Sequence, residues 1–196
     1  MPGDSGFDQG NGQLNETLWL YQGATLIKKS NYQAIYTNVP ASTNPVPYRL
    51  VAATNQVGAF PYTPGTRTEW TFTSGTTDLS VIDTLPLIEL DYDVATDLTG
   101  RASRFAPITL TASELAEMSR TAKITGGTLE VSYDDGSSWK ALRLSKTGKG
   151  AGAGTGSWTA QLHAPKTAAF VSLRATAKDA SGNTVTQTVL EAFGLR

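Results

Sequence analysis

Apolar and polar residues alternate in short runs along most of the chain, and Gly, Pro, Asn and Asp separate the runs. Residues 16–21 (ETLWLY), 25–27, 32–39 (YQAIYTNV), 48–54 (YRLVAAT) and 68–73 (TEWTFT) read as about five strands. Trp70 and Phe72 fall on one face of the last of these. Residues 40–47 are a turn-rich break, and 55–65, with Pro61 and Pro64, reads as loop. Further on, residues 87–94, 108–112, 128–133, 139–144, 158–163, 170–178 and 183–193 read as about seven more strands. Gly126 and Gly127 precede the third of them, and residues 149–156 (KGAGAGTG) read as a flexible loop. Residues 113–120 (SELAEMSR) fit either one helical turn or a polar loop. No helical period is sustained anywhere, which disfavours parallel α/β folds.

The fold class expected from this pattern is all-β, with two β-sandwich domains in tandem. Residues 1–15 form a polar, Gly-rich flexible lead-in, and 16–75 a first small sandwich. Residues 76–86 form a linker ending at Pro86, and 87–196 a second sandwich. The strand spacing of the second part is that of an immunoglobulin-like or fibronectin type III-like domain. Two hairpin turns support it. Asp134 and Gly136 sit between 128–133 and 139–144; Asp179, Gly182 and Asn183 sit between 170–178 and the last strand. In each, Asp accepts backbone N–H bonds and Gly supplies a left-handed residue.

Composition sharpens this picture. Twenty-eight Thr and nineteen Gly in 196 residues suit strands and turns. There is no Cys, which removes disulfides, thiolate metal sites and thiol nucleophiles. A net charge of −1 argues against general nucleic-acid binding. No apolar stretch is long enough to span a membrane. Charge divides unevenly: residues 1–100 carry four basic and ten acidic side chains, residues 101–196 twelve and seven. The start, Met1 to Asp4, leads into polar sequence rather than an apolar signal segment, as would a piece excised from a larger secreted chain.

Candidate chemistry is sparse. Gly3-Asp4-Ser5-Gly6 matches the tetrapeptide around a chymotrypsin-type nucleophile, but the single histidine, His163, lies in a different expected domain at a strand end, and a serine nucleophile needs a base within reach. Glu89, Asp91 and Asp93 alternate on one strand face, with Asp97 nearby. They read as a solvated, aggregation-deterring face, or as oxygen ligands for calcium, the one cofactor weighed. The same residues contain carboxylate pairs such as a glycosidase uses. Trp19, Trp70, Trp139 and Trp158 suit a core or a sugar platform, whereas Tyr21, Tyr32 and Tyr36 suit an exposed aromatic patch. Asn15-Glu16-Thr17 is a glycosylation sequon. Ser132 to Trp139 fits S-x-D-x-G-x-x-W and resembles the Asp-box hairpin of sialidases and other secreted β proteins, in which the Asp caps the turn and Trp139 packs under it.

Four stretches taken together resemble the C-terminal, noncatalytic region of large secreted subtilisin-like serine peptidases of bacteria. They are 66–72 (TRTEWTF), 85–99 (LPLIELDYDVATDLT), 129–139 (LEVSYDDGSSW) and 171–195, which ends on Phe193-Gly194-Leu195. The Gly-rich motifs that hold the Asp, His and Ser of that family's catalytic part do not occur in this chain. The resemblance implies a noncatalytic module of an extracellular protein. It would be covalently linked to a protease domain, stabilising that domain or helping to dock protein substrates. The alternative is a carbohydrate- or cell-surface-binding module, with or without calcium.

Overall fold

The computed structural model describes residues 13–39, 42, 44–57, 61–75, 84–115, 122–147 and 154–196. Among them there are thirteen strands and no helix: β1 (Gln13–Gln22), β2 (Thr25–Ser30), β3 (Val46–Val57), β4 (Gly65–Ser74), β5 (Ile88–Val94), β6 (Arg101–Ala102), β7 (Pro107–Glu114), β8 (Ile124–Ser132), β9 (Lys140–Leu142), β10 (Ser145–Lys146), β11 (Thr155–Gln161), β12 (Phe170–Asp179) and β13 (Thr184–Leu195). The all-β expectation holds. The strands form a nine-stranded sheet, ordered β2-β1-β3-β4-β13-β12-β8-β9 with β6 beside β13, and a four-stranded sheet, ordered β10-β11-β7-β5.

The core lies where the two sheets face each other. On β7, Ile108, Leu110 and Ala112 are buried at every second residue, and on β11 Gly156, Trp158 and Ala160 are. Opposite them stand Leu129 and Val131 of β8 and Val171, Leu173, Ala175 and Ala177 of β12. Gly126 and Gly127 belong to β8 rather than to a turn before it. The reason is Trp158: a Cβ on Gly127 would meet its ring at 3.1 Å, so the missing side chain makes room for the indole. Tyr92 of β5 packs against this core with its hydroxyl buried and, among the described residues, without a hydrogen-bond partner, and burial pushes its pKa up. Tyr92→Phe is therefore expected to raise stability by up to about 1 kcal/mol, a Tm rise of about 2–4 °C in calorimetry.

The pairing departs from the expected domain division. β4 of the first segment pairs directly with β13, the last strand of the chain, over Thr66 to Thr71. Strands β1 to β4 thus all belong to the larger sheet, and among the described residues no second sheet covers them as a separate small sandwich would require. The physical reason is a continuous apolar row. Leu20, Leu50, Trp70, Val185, Ala177 and Gly127 are successive cross-strand partners along β1, β3, β4, β13, β12 and β8, so they share one face. The smaller sheet lies over the β8–β12–β13 end of that face. Trp70 bridges the limit of this cover: its indole N–H donates to the Ile88 carbonyl of β5 at 2.8 Å.

The β3–β4 connection is anchored to the far end of the sandwich. Tyr62 lies in a slot between the backbones of Gly100 and Gly194, and its ring meets Phe170 edge-on at 6.0 Å. The next residue, Thr63, has φ 59° and donates its N–H to the carbonyl of Glu191, itself at φ 43°. A β-branched residue with positive φ is strained, and the reciprocal docking of the two segments holds it.

Three smaller expectations change. Residues 13–15 open β1 instead of closing a lead-in; residues 1–12 lie outside the described part. Residues 32–39 form no strand. Of the loop at 149–156, residues 154–156 are described, and there Gly154 and Gly156 are buried, the first accepting the N–H of Glu114. The expected linker at 76–86 and the turn or loop at 113–120 lie largely outside the described residues, at 76–83 and 116–120.

Candidate functional site

The apolar face that outruns the smaller sheet is covered by residues 33–39. Ser30 ends β2, and its Oγ accepts the N–H of Tyr32 at 3.2 Å, turning the chain back over the sheet. The segment then covers the sheet instead of pairing with it: the adjacent Ala34 and Ile35 are half-buried and line a recess with Leu18, Leu20 and Leu50, while Tyr36 is exposed. Beneath the segment is a mainly apolar recess of about 400 Å³, closed at its floor by Tyr48 and Phe72, whose rings stack at 5.8 Å.

On the outer side of the same segment lies a groove of about 540 Å³, walled by Lys28, Lys29, Asn31, Tyr32, Ile35 and Tyr36. Tyr32 is 81% exposed and Tyr36 89%. The structure thus brings two of the three candidate tyrosines into one groove and leaves out the third. Tyr21 is on the opposite face of the sheet, beneath the Arg49 guanidinium, 3.9 Å from its ring centroid. Arg49 and Arg67 both pair with Glu69, whereas neither lysine forms an ion pair among the described residues; Lys29 lies over the Trp19 ring at 5.7 Å. The sequence pattern did not show the lysines as partners of the tyrosines, because the contact depends on the reversal at Ser30.

The other candidates are placed apart from this groove. Trp70 and Trp158 serve the core; Trp19 and Trp139 are half-buried beneath cations, Trp139 under Arg174 at 4.5 Å. Glu89, Asp91 and Asp93 are exposed on edge strand β5, opposite Ser113, Thr111 and Thr109. Asp97 does not join them. Its carboxylate accepts the Thr99 hydroxyl and the N–H groups of Thr99 and Arg101, with Arg196 at 3.5 Å, and these contacts, the Thr99 hydroxyl first, hold its pKa below the usual carboxylate range. Among the described residues no three His, Asp or Glu side chains converge as a metal site would need. The His163 ring is exposed and meets Phe105 edge-on at 5.7 Å. The Gly3–Gly6 tetrapeptide lies outside the described residues.

Both turns do the local work their residues suggest. The Asp134 carboxylate accepts the hydroxyls of Ser138 and Ser132 and the N–H of Ser138; Ser132 Oγ accepts the N–H of Gly136 (φ 83°). The Ser138 hydroxyl leads in holding the Asp134 pKa down to about 2. Because the native pKa is depressed, the cap's contribution is present above the ordinary aspartate pKa of about 3.9 and is lost as pH falls through about 2. Asp134→Ala should accordingly speed amide exchange at Ser138 at neutral pH, and the two proteins should converge in strong acid. In the second turn Asp179 is buried and accepts both the backbone and side-chain N–H of Asn183, at 2.9 and 2.6 Å; Gly182 has φ 91°.

One site was not legible beforehand. Glu114, at the end of β7, is only 8% exposed. Its Oε2 accepts the Ala122 N–H at 2.5 Å, while Oε1 is buried and has no hydrogen-bond partner among the described residues. Burial, and after it the nearby Asp179 carboxylate, push the Glu114 pKa up. The pair joins residues from the two sheets, so no motif in one stretch announces it. No protein-family model matches the chain, and neither a curated protein nor a solved structure matches it.

Proposed function

We propose that the chain is a noncatalytic accessory β-sandwich region of a secreted subtilisin-like serine peptidase, acting on the stability of a covalently linked catalytic domain or on the docking of its protein substrates. One observation carries the reading. The four stretches that resemble such regions, scattered over residues 66–195, contribute adjacent strands β4, β13, β12 and β8 of one sheet, with β5 hydrogen-bonded to Trp70 across the core. The test is to produce the catalytic domain of the same reading frame with and without this chain, and to compare its thermal inactivation half-life and its KM for a protein substrate. A shorter half-life or higher KM on deletion supports the reading. No change in either, a reading frame with no such domain, or serine-reagent-sensitive peptidase activity in the isolated chain overturns it.

A second reading, a carbohydrate- or cell-surface-binding module, is favoured by the groove that pairs Tyr32 and Tyr36. Retention of the chain on insoluble polysaccharides, with and without a calcium chelator, tests it.

A further inference from the structure

We infer that the groove between Lys28 and Tyr36 binds a polysaccharide whose sugars carry carboxylates, an inference that rests on the second reading above and names its site and ligand class. Among the described residues the lining holds two lysines and no acidic residue. That is a local reversal of sign, because ten acidic residues outnumber four basic ones over residues 1–100. Among the described residues Arg49 and Arg67 are engaged by Glu69 and Lys29 lies over the Trp19 ring, which leaves Lys28 as the cation this groove offers to a partner.

The tyrosines supply the second half of the argument. Each keeps four-fifths or more of its surface in water, so neither contributes much to the core. Both border the same groove, each with a flat apolar ring and a polar tip. Such rings suit the C–H faces of sugar rings, the Asn31 amide suits hydroxyls, and the Lys28 ammonium suits the carboxylates that a chain repeats at intervals. A single exposed ion pair contributes only about 0–1 kcal/mol, but a polymer repeats its charge and engages through effective concentration.

An extended acidic peptide added to edge strand β2 is the competing occupant, and the strand opposes it. Its register with β1 shifts between Leu20 and Tyr21, an irregularity of the kind that blunts an edge against a further strand.

The experiment is retention of the full chain on immobilised polygalacturonate and on immobilised neutral galactan. It compares the wild type with Tyr32→Ala/Tyr36→Ala and with Lys28→Gln, each first matched to the wild type in Tm. All three positions are exposed, so the variants should fold. The expected result is retention on polygalacturonate alone, about tenfold weaker in the tyrosine variant. Lys28→Gln should also weaken it, and added salt should do so through screening. Equal retention on both polymers overturns the inference while leaving the carbohydrate reading standing. Retention on neither overturns both. Retention on polygalacturonate that is unchanged in the variants places the site elsewhere. Elution by polyglutamate but not by oligogalacturonate assigns the groove to a peptide; either of these last outcomes overturns the inference.

Discussion

Gly100→Ala is expected to cost about 2–5 kcal/mol, the sum of two separable terms. Gly100 has φ +74°, where an alanine is disfavoured by about 1–2 kcal/mol. The added Cβ would also stand 2.5 Å from Cε2 and 2.9 Å from Cδ2 of Tyr62. That ring has no room to retreat: a Cβ on Gly194, at the other wall of the slot, would lie 2.5 Å from its hydroxyl, and Phe170 meets it edge-on. Overpacking of this kind adds about 1–3 kcal/mol. Gly23→Ala provides the internal control, because Gly23 also has positive φ (58°) but open space around its Cα; it should cost only about 1 kcal/mol. Urea unfolding of both variants, and of Gly100→Ala in a Tyr62→Ala background, separates the terms. Removing the ring should bring the Gly100→Ala cost down to the Gly23→Ala value. Equal costs for the two glycine variants in the wild-type background would show that the slot yields and that Tyr62 does not anchor the β3–β4 connection.

Glu114→Gln is expected to stabilise the protein by about 1–3 kcal/mol at mildly alkaline pH and to lose that advantage in acid. The direction follows from the pKa. Burial, and after it Asp179, raise the Glu114 pKa in the native state, so the charged form costs the fold more than the neutral one, and among the described residues Oε1 has no hydrogen-bond partner. A group with a raised native pKa contributes fully below its unfolded value, about 4.3 for glutamate, and that contribution is lost as pH rises through the native value. Glutamine keeps an acceptor for the Ala122 N–H and places an N–H donor where the proton would be, without a charge to bury beside Asp179. Unfolding curves at about pH 4 and about pH 8 decide the matter, because only the wild type should weaken between them relative to the variant. A constant difference across that range would show that Glu114 does not titrate there.

How far the sequence led can be traced through particular residues. Period-two alternation located β5, β7, β12 and β13 to within two residues at each end, whereas β3 runs beyond 48–54 at both ends and β11 lies at 155–161 where 158–163 was expected, its first residues having read as loop. The same signal misplaced 32–39, where the adjacent Ala34 and Ile35 are half-buried over a sheet face, the other residues are exposed and the backbone joins no ladder. β6 and β10, two residues each, are too short to carry any period. The turn residues Asp134, Gly136, Asp179, Gly182 and Asn183 were legible because their bonds close within four positions. The groove was half legible: Tyr32 and Tyr36 stood out as surface aromatics, but their junction with Lys28 and Lys29 depends on how the chain reverses at Ser30.

Local chemistry, then, is what the sequence determined by itself: an all-β chain, its strand-forming runs, two capped hairpins and the residue types available at each surface. The tertiary structure alone decided that β4 completes the sheet of β13, that the apolar row from Leu20 to Gly127 is continuous, that Tyr62 fills a slot between Gly100 and Gly194, and that Glu114 faces Asp179. Each of these joins residues far apart in the chain. Alternation specifies which face of a strand is apolar and says nothing of which strand will lie beside it; that choice falls to the pairing that buries the most apolar surface and leaves the fewest backbone groups unmatched.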